Sequence, residues 1–167
     1  MAYTAKAVAN EFLELAKQDG QQLTPMQLQK LVYFAYGWYL AITGERLLNE
    51  RVEAWQWGPV IPSLYSEFKK FGSEPITDMA RDMTSRPFRV RSGNPLKDGQ
   101  ALMVIKRVWE IYGKYTAAQL SGMTHEPNSP WTRTPEKDIK GTDISDELIA
   151  DYFRKLAMNE HATPTTR

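Results

Sequence analysis

Apolar positions recur along this chain with two periods, and the period changes where the elements change. From Ala5 to Asp19 the apolar residues Val8, Phe12, Leu15 and Ala16 fall at i, i+4, i+7 and i+8, which predicts an amphipathic helix capped by Thr4 and stopped at Gly20. Thr24, Pro25 and Gln27 spell the start of a second helix: a cap, a proline at its first position and a capping box. Its stripe is Leu28, Leu31, Val32, Ala35, Tyr39 and Ile42, and it ends at Thr43 before Gly44. Tyr33, Phe34, Tyr36, Trp38 and Leu40 make its other faces apolar as well. Such a helix is either central to a core or half-covered by a partner.

From Arg51 to Trp57 the period drops to two, with Glu53, Trp55 and Trp57 on one face, so a strand is predicted. Gly58-Pro59 is expected to break it. Helical spacing returns over Ile61 to Phe71, through Leu64 and Phe68. Within the less regular stretch from Gly72 to Gly99, Arg86 to Arg91 alternates like a short strand that could pair with 51–57. Further helices are expected from Asp98 to Tyr112 and from Ala117 to Met123 after the cap Thr116. His125 to Pro135 reads as an irregular arm. A last helix starts at Ser145 with Asp146 and Glu147 in its first turn, where carboxylates suit the helix dipole. The expected fold class is mainly α with a small antiparallel β-sheet (α+β), in one domain over 1–157, followed by a polar tail over 158–167.

Composition narrows the function classes. The net charge of +1 gives no general pull on a polyanion. Absence of cysteine removes disulfides and thiolate chemistry and suits a cytoplasmic protein. The longest apolar run, Leu31 to Ile42, is shorter than the ~17–25 residues a membrane span needs. The N-terminal stretch lacks the apolar centre of a signal peptide.

Candidate chemistry is sparse. Of two histidines, His161 lies in the expected tail, and His125 follows a helix in Thr124-His125-Glu126-Pro127. As a general base, His125 would need an orienting carboxylate such as Glu53 or Glu126 and a nucleophile; no nucleophile motif accompanies it. No spacing of metal ligands, dinucleotide-binding glycines or a P-loop is present, so no cofactor is expected. Arg81, Arg86, Arg89, Arg91 and Lys97 could meet nucleic acid beside Phe88, but read more simply as a charged edge strand. Lys30 and Glu53 could form a partly buried pair if the strand packs near the second helix. The rings of Tyr33, Tyr36, Trp38, Tyr39, Trp55, Trp57 and Tyr65 are dense for 167 residues, and some are expected to stay exposed as a binding face.

Three motifs carry a family resemblance. Leu28, Gln29, Lys30, Leu31 and Tyr33 form the first; Glu53, Ala54, Trp55, Gly58, Pro59 and Val60 the second; Leu120, Thr124, His125, Pro130 and Trp131 the third. Together with the closing helix Ile144 to Phe153, they resemble the SocA-like antitoxins, the Panacea domain. The resemblance implies an antitoxin, often of bacteria or their prophages, that binds a cognate protein toxin without doing chemistry. It leaves no length for the added DNA-binding domain of some members. The partner-binding face is expected at Lys30, Tyr36, Tyr39, Glu53, Trp55, Trp57 and Tyr65. The alternatives are an adaptor that delivers the toxin to a protease and, in another class, a small hydrolase or transferase using His125. Self-association is left open.

Overall fold

Helix α2, Pro25–Thr43, runs through the middle of the molecule, and every other layer is arranged around it. The structure, a computed structural model, describes residues 2–81, 99–135 and 141–162, with side chains placed through Asn159. Helices α1 (Ala5–Gln18), α3 (Pro62–Phe68), α4 (Gly99–Tyr112), α5 (Ala117–Thr124) and α7 (Asp146–Ala162) all contact α2. A short helix α6, Pro130–Arg133, packs on α7. Strands β1 (Glu53–Trp55) and β2 (Gly58–Val60) form an antiparallel hairpin in the register Glu53↔Val60, Ala54↔Pro59, Trp55↔Gly58. A single 3₁₀ turn, Lys69–Phe71, continues α3. This is the mainly helical α+β domain that the periodicity predicts.

The local signals explain most of these boundaries. Thr4 Oγ1 accepts from Ala7 N at 3.1 Å and opens α1. Thr24 and Gln27 close a reciprocal capping box on α2, and Thr116 and Gln119 do the same on α5. Gly44, in the left-handed region, ends α2. The core is one cluster in which Leu28, Leu31, Val32, Tyr33, Ala35 and Tyr36 of α2 are buried on all sides. An all-apolar helix is therefore satisfied here by central burial within one chain.

Several expectations change. The α2 rings Tyr36 and Tyr39 are 0% and 2% exposed, so they lie in the core and not on a binding face. Neighbouring helices cover the faces of α2 that carry these two rings, and the Tyr36 hydroxyl donates to Asp146 of α7. The predicted strand 51–57 is in fact β1 and its turn, and Gly58-Pro59 does not break the sheet but starts β2. The far edge of β1 is taken by residues 142–144: Ala54 N donates to Thr142 O at 2.9 Å, and Ile144 N to Val52 O at 2.8 Å. Both edges of β1 are thus occupied among the described residues; the expected strand 86–91 lies outside them, as do Arg86, Arg89, Arg91, Lys97 and Asp98. The 125–135 arm contains α6, capped by Ser129. Helix α7 runs to Ala162, into the stretch expected as a tail, because no glycine or proline interrupts it before Pro164.

Candidate functional site

The three sequence motifs, spread from Leu28 to Trp131, meet at the β-hairpin. Leu28 and Leu31 are buried in the core, while the two polar residues between them dock the hairpin's outer strand. Gln29 accepts from Ile61 N and donates to Ile61 O, both at 3.0 Å, so one side-chain amide stands in for a strand partner. Lys30 Nζ donates to Pro59 O at 3.0 Å. From the other side, Ser121 Oγ donates to Trp57 O at 3.0 Å, and Trp131 Nε1 donates to Trp55 O at 2.6 Å. The carbonyls of residues 55, 57 and 59 are therefore each held by a side chain from a different helix. A two-strand hairpin is marginal alone; these donors fix it against the helical body.

Gly58 sits where the motifs converge. Its φ is +110°, and a Cβ placed on it would lie 2.6 Å from Thr124 Oγ1, 3.1 Å from Lys30 Nζ and 3.4 Å from His125 Cε1. Only glycine meets both conditions, the left-handed backbone and the missing side chain. His125 is half-buried, with Nδ1 2.6 Å from Ser121 O and its ring 3.9 Å from that of Trp131. A backbone carbonyl at that distance requires a proton on Nδ1. No carboxylate touches the imidazole among the described residues; neither Glu53 nor Glu126 orients it. The ring serves to hold the 125–131 arm to α5.

A cleft of about 460 Å³ opens beside the hairpin, between α2 and α3. Pro25, Met26, Gln29 and Lys30 line one wall, Leu64, Tyr65 and Lys69 the other, with Trp55, Gln56, Trp57 and Val60 from the hairpin. Trp57 is 61% and Tyr65 45% exposed. Trp57 is open to solvent because it falls in the Gln56–Trp57 turn rather than on the strand face. Trp55 is half-buried and packs edge-on against Tyr65, with ring centroids 5.0 Å apart. Of the expected face, Lys30, Trp55, Trp57 and Tyr65 do gather here. Met26, Gln56 and Lys69 join them without having been singled out in the sequence; the helical period over Ile61 to Phe71 is the signal that could have placed Lys69 beside Tyr65.

The expected Lys30–Glu53 pair does not form. Glu53 Oε1 accepts instead from Trp55 Nε1 at 2.8 Å and from Gly141 N at 3.0 Å, on the side of β1 away from β2. Lys30 is 1% exposed and has no carboxylate partner among the described residues. Burial pushes its ammonium down from the ordinary value of 10.5 to about 7. The consequence for stability has a definite sign. Below pH 7 the folded and unfolded chains both hold the proton. Between about pH 7 and 10.5 only the unfolded chain holds it, so this group makes stability rise with pH, by at most ~1.4 kcal/mol per unit. We expect the urea-derived unfolding free energy of the wild type, minus that of Lys30→Met, to climb by about 2 kcal/mol from pH 7 to pH 9. A flat difference would show that Lys30 is solvated.

Two comparisons with known proteins agree with this convergence. The family described as "Antitoxin SocA-like, Panacea domain" matches residues 28–132, a span that includes Gln29, Lys30, Ser121 and Trp131, whose side chains hold the hairpin. "Antitoxin SocA" of Caulobacter vibrioides (strain NA1000 / CB15N) is 35% identical over 156 residues, covering 90% of this chain and 82% of that protein. No solved structure matches. Among the described residues no group of side chains could hold a metal ion, and no helix is long and apolar enough to cross a membrane. With its motifs built into one hairpin-docking site and its match extending over most of its length, the chain belongs to the SocA-like antitoxin family and carries a Panacea domain.

Proposed function

We propose that this chain is the antitoxin of a toxin–antitoxin pair and neutralises its toxin in the cytoplasm by binding it directly. Membership of the family supports the antitoxin role. The observation that carries the binding mode is the pair of exposed rings, Trp57 and Tyr65, at the mouth of a cleft whose hairpin wall is fixed by three side-chain donors. Large aromatic groups on a rigid support bind at low entropic cost, and they are the usual anchors of protein interfaces. A flexible hairpin would lose part of that advantage on ordering.

A growth assay tests the role. The protein encoded beside this chain is expressed alone and then together with it. Arrest in the first case, rescue in the second and a co-purifying complex are expected. Failure of rescue at matched expression would contradict the proposal. Loss of the toxin from cells only when a protease is active would favour the adaptor reading over simple blocking. The enzyme alternative has its own test. Because His125 is engaged by Ser121 O and Trp131, His125→Ala is expected to lower rescue only as far as it lowers stability. Complete loss of rescue by a folded variant that still binds the toxin would make His125 a reacting group.

A further inference from the structure

Lys30 is a cation without a counter-ion at the wall of the cleft. It is 1% exposed, and Pro59 O is the only acceptor it meets among the described residues, so two of its three N–H groups are unmatched. A buried, incompletely bonded ammonium is a costly feature, worth keeping where a ligand completes it. The surroundings offer no internal substitute. Thr124 of α5 and His125 just after it lie on one side, the β2 backbone beside them, and Tyr65 of α3 and Lys69 of the following 3₁₀ turn across the cleft. None of these is a carboxylate, and Glu53 of β1 is already bound to Trp55 and Gly141. The charged residues lining the cleft, Lys30 and Lys69, are both positive, while Met26, Val60, Leu64 and the Trp and Tyr rings are apolar. The space of about 460 Å³ takes an apolar stem with an anionic end.

We propose that this cleft receives an acidic side chain of the toxin, with its carboxylate paired to Lys30, its stem against Met26 and Leu64, and Lys69 steering it from the rim. The inference rests on the antitoxin reading and adds the chemistry by which the partner is chosen. Pairing with a carboxylate restores the charged form of Lys30, which burial otherwise disfavours. Complex formation above neutral pH then takes up a proton. His125 is the other titratable side chain beside Lys30 at Gly58. It is unchanged in a Lys30 variant, so the difference between wild type and variant isolates the lysine.

The test is calorimetric titration of the neighbour-encoded toxin into this chain, at pH 6.5 and pH 8, in buffers of different ionisation heat. The wild type is expected to bind with uptake of most of one proton at pH 8. Lys30→Met is expected to bind at least tenfold more weakly at pH 6.5 and to lose that uptake, which a purely structural role for Lys30 would not produce. On the toxin, replacing Asp by Asn and Glu by Gln one at a time should reveal a single position whose effect disappears against Lys30→Met. The toxin scan and the wild-type proton count need no folded Lys30 variant. Normal wild-type binding with no sensitive acidic position and no proton uptake overturns the proposal and leaves the antitoxin reading intact. Equal or tighter binding by folded Lys30→Met does the same and assigns the cleft to an apolar side chain. A wild type that does not bind the toxin overturns both.

Discussion

Gly37→Ala is expected to destabilise this protein by about 2 kcal/mol or more, although alanine is the better helix former. Gly37 lies in the middle of α2, facing α7. A Cβ there would stand 2.1 Å from Phe153 Cε2, far inside van der Waals contact. Phe153 is 0% exposed and its ring packs among Tyr33, Phe34, Trp38 and Tyr152. It cannot step aside without moving those rings. The propensity gain of alanine over glycine is about 1 kcal/mol in a helix, whereas overpacking typically costs about 1–3 kcal/mol and occasionally more. The contact is so short that the second term wins. Phe153→Leu should partly relieve the crowding, so the double variant should lose at least about 1 kcal/mol less than the two single losses added together. Denaturant melts of the four proteins decide it. Additive losses would mean that α2 and α7 do not meet at this glycine.

Gly58→Val should cost about 3 kcal/mol, from two sources that can be separated. At φ +110° a β-branched residue is strained by about 1–3 kcal/mol, and its Cβ also meets Thr124 Oγ1 at 2.6 Å. Combining it with Thr124→Ala removes the contact and leaves the strain, so part of the loss should return. The damage should also reach Trp57, because the turn that presents this ring lies one residue before Gly58. An unchanged denaturation midpoint for Gly58→Val would contradict the hairpin geometry described above.

The elements that the sequence reveals are those specified by neighbours along the chain. Thr24, Pro25 and Gln27 mark the start of α2 within four positions, and the structure closes that box as expected. The all-round apolar character of α2 was equally visible, but not its consequence. Whether Tyr36 and Tyr39 face a partner or the core depends on how many helices pack around α2, and that is a property of the whole chain. The hairpin was half visible. Alternation from Arg51 to Trp57 shows a strand, but Gln56–Trp57 has none of the Asn-Gly or Gly chemistry that marks a tight turn. Strand and turn therefore read as one element. The docking bonds leave no local trace: Gln29 to Ile61, Lys30 to Pro59 and Trp131 to Trp55 join residues far apart in sequence. Family resemblance named Gln29, Lys30, Trp55, Pro59 and Trp131 together, and the structure supplies the physical reason. They hold one hairpin from three sides.

If the Trp57–Tyr65 face binds the toxin, the affinity of Trp57→Ala for it must fall. Trp57 is 61% exposed, so truncating it should leave the unfolding midpoint close to that of the wild type. A buried tryptophan would instead lose about 3–5 kcal/mol of stability on such a change. A stably folded Trp57→Ala is expected to bind the toxin at least thirtyfold more weakly, a loss of about 2 kcal/mol or more. Wild-type affinity in that folded variant would contradict it. The interface would then lie on another apolar surface, of which the groove between α2 and α4 beside the exposed Ile42 and Met103 is the first to examine.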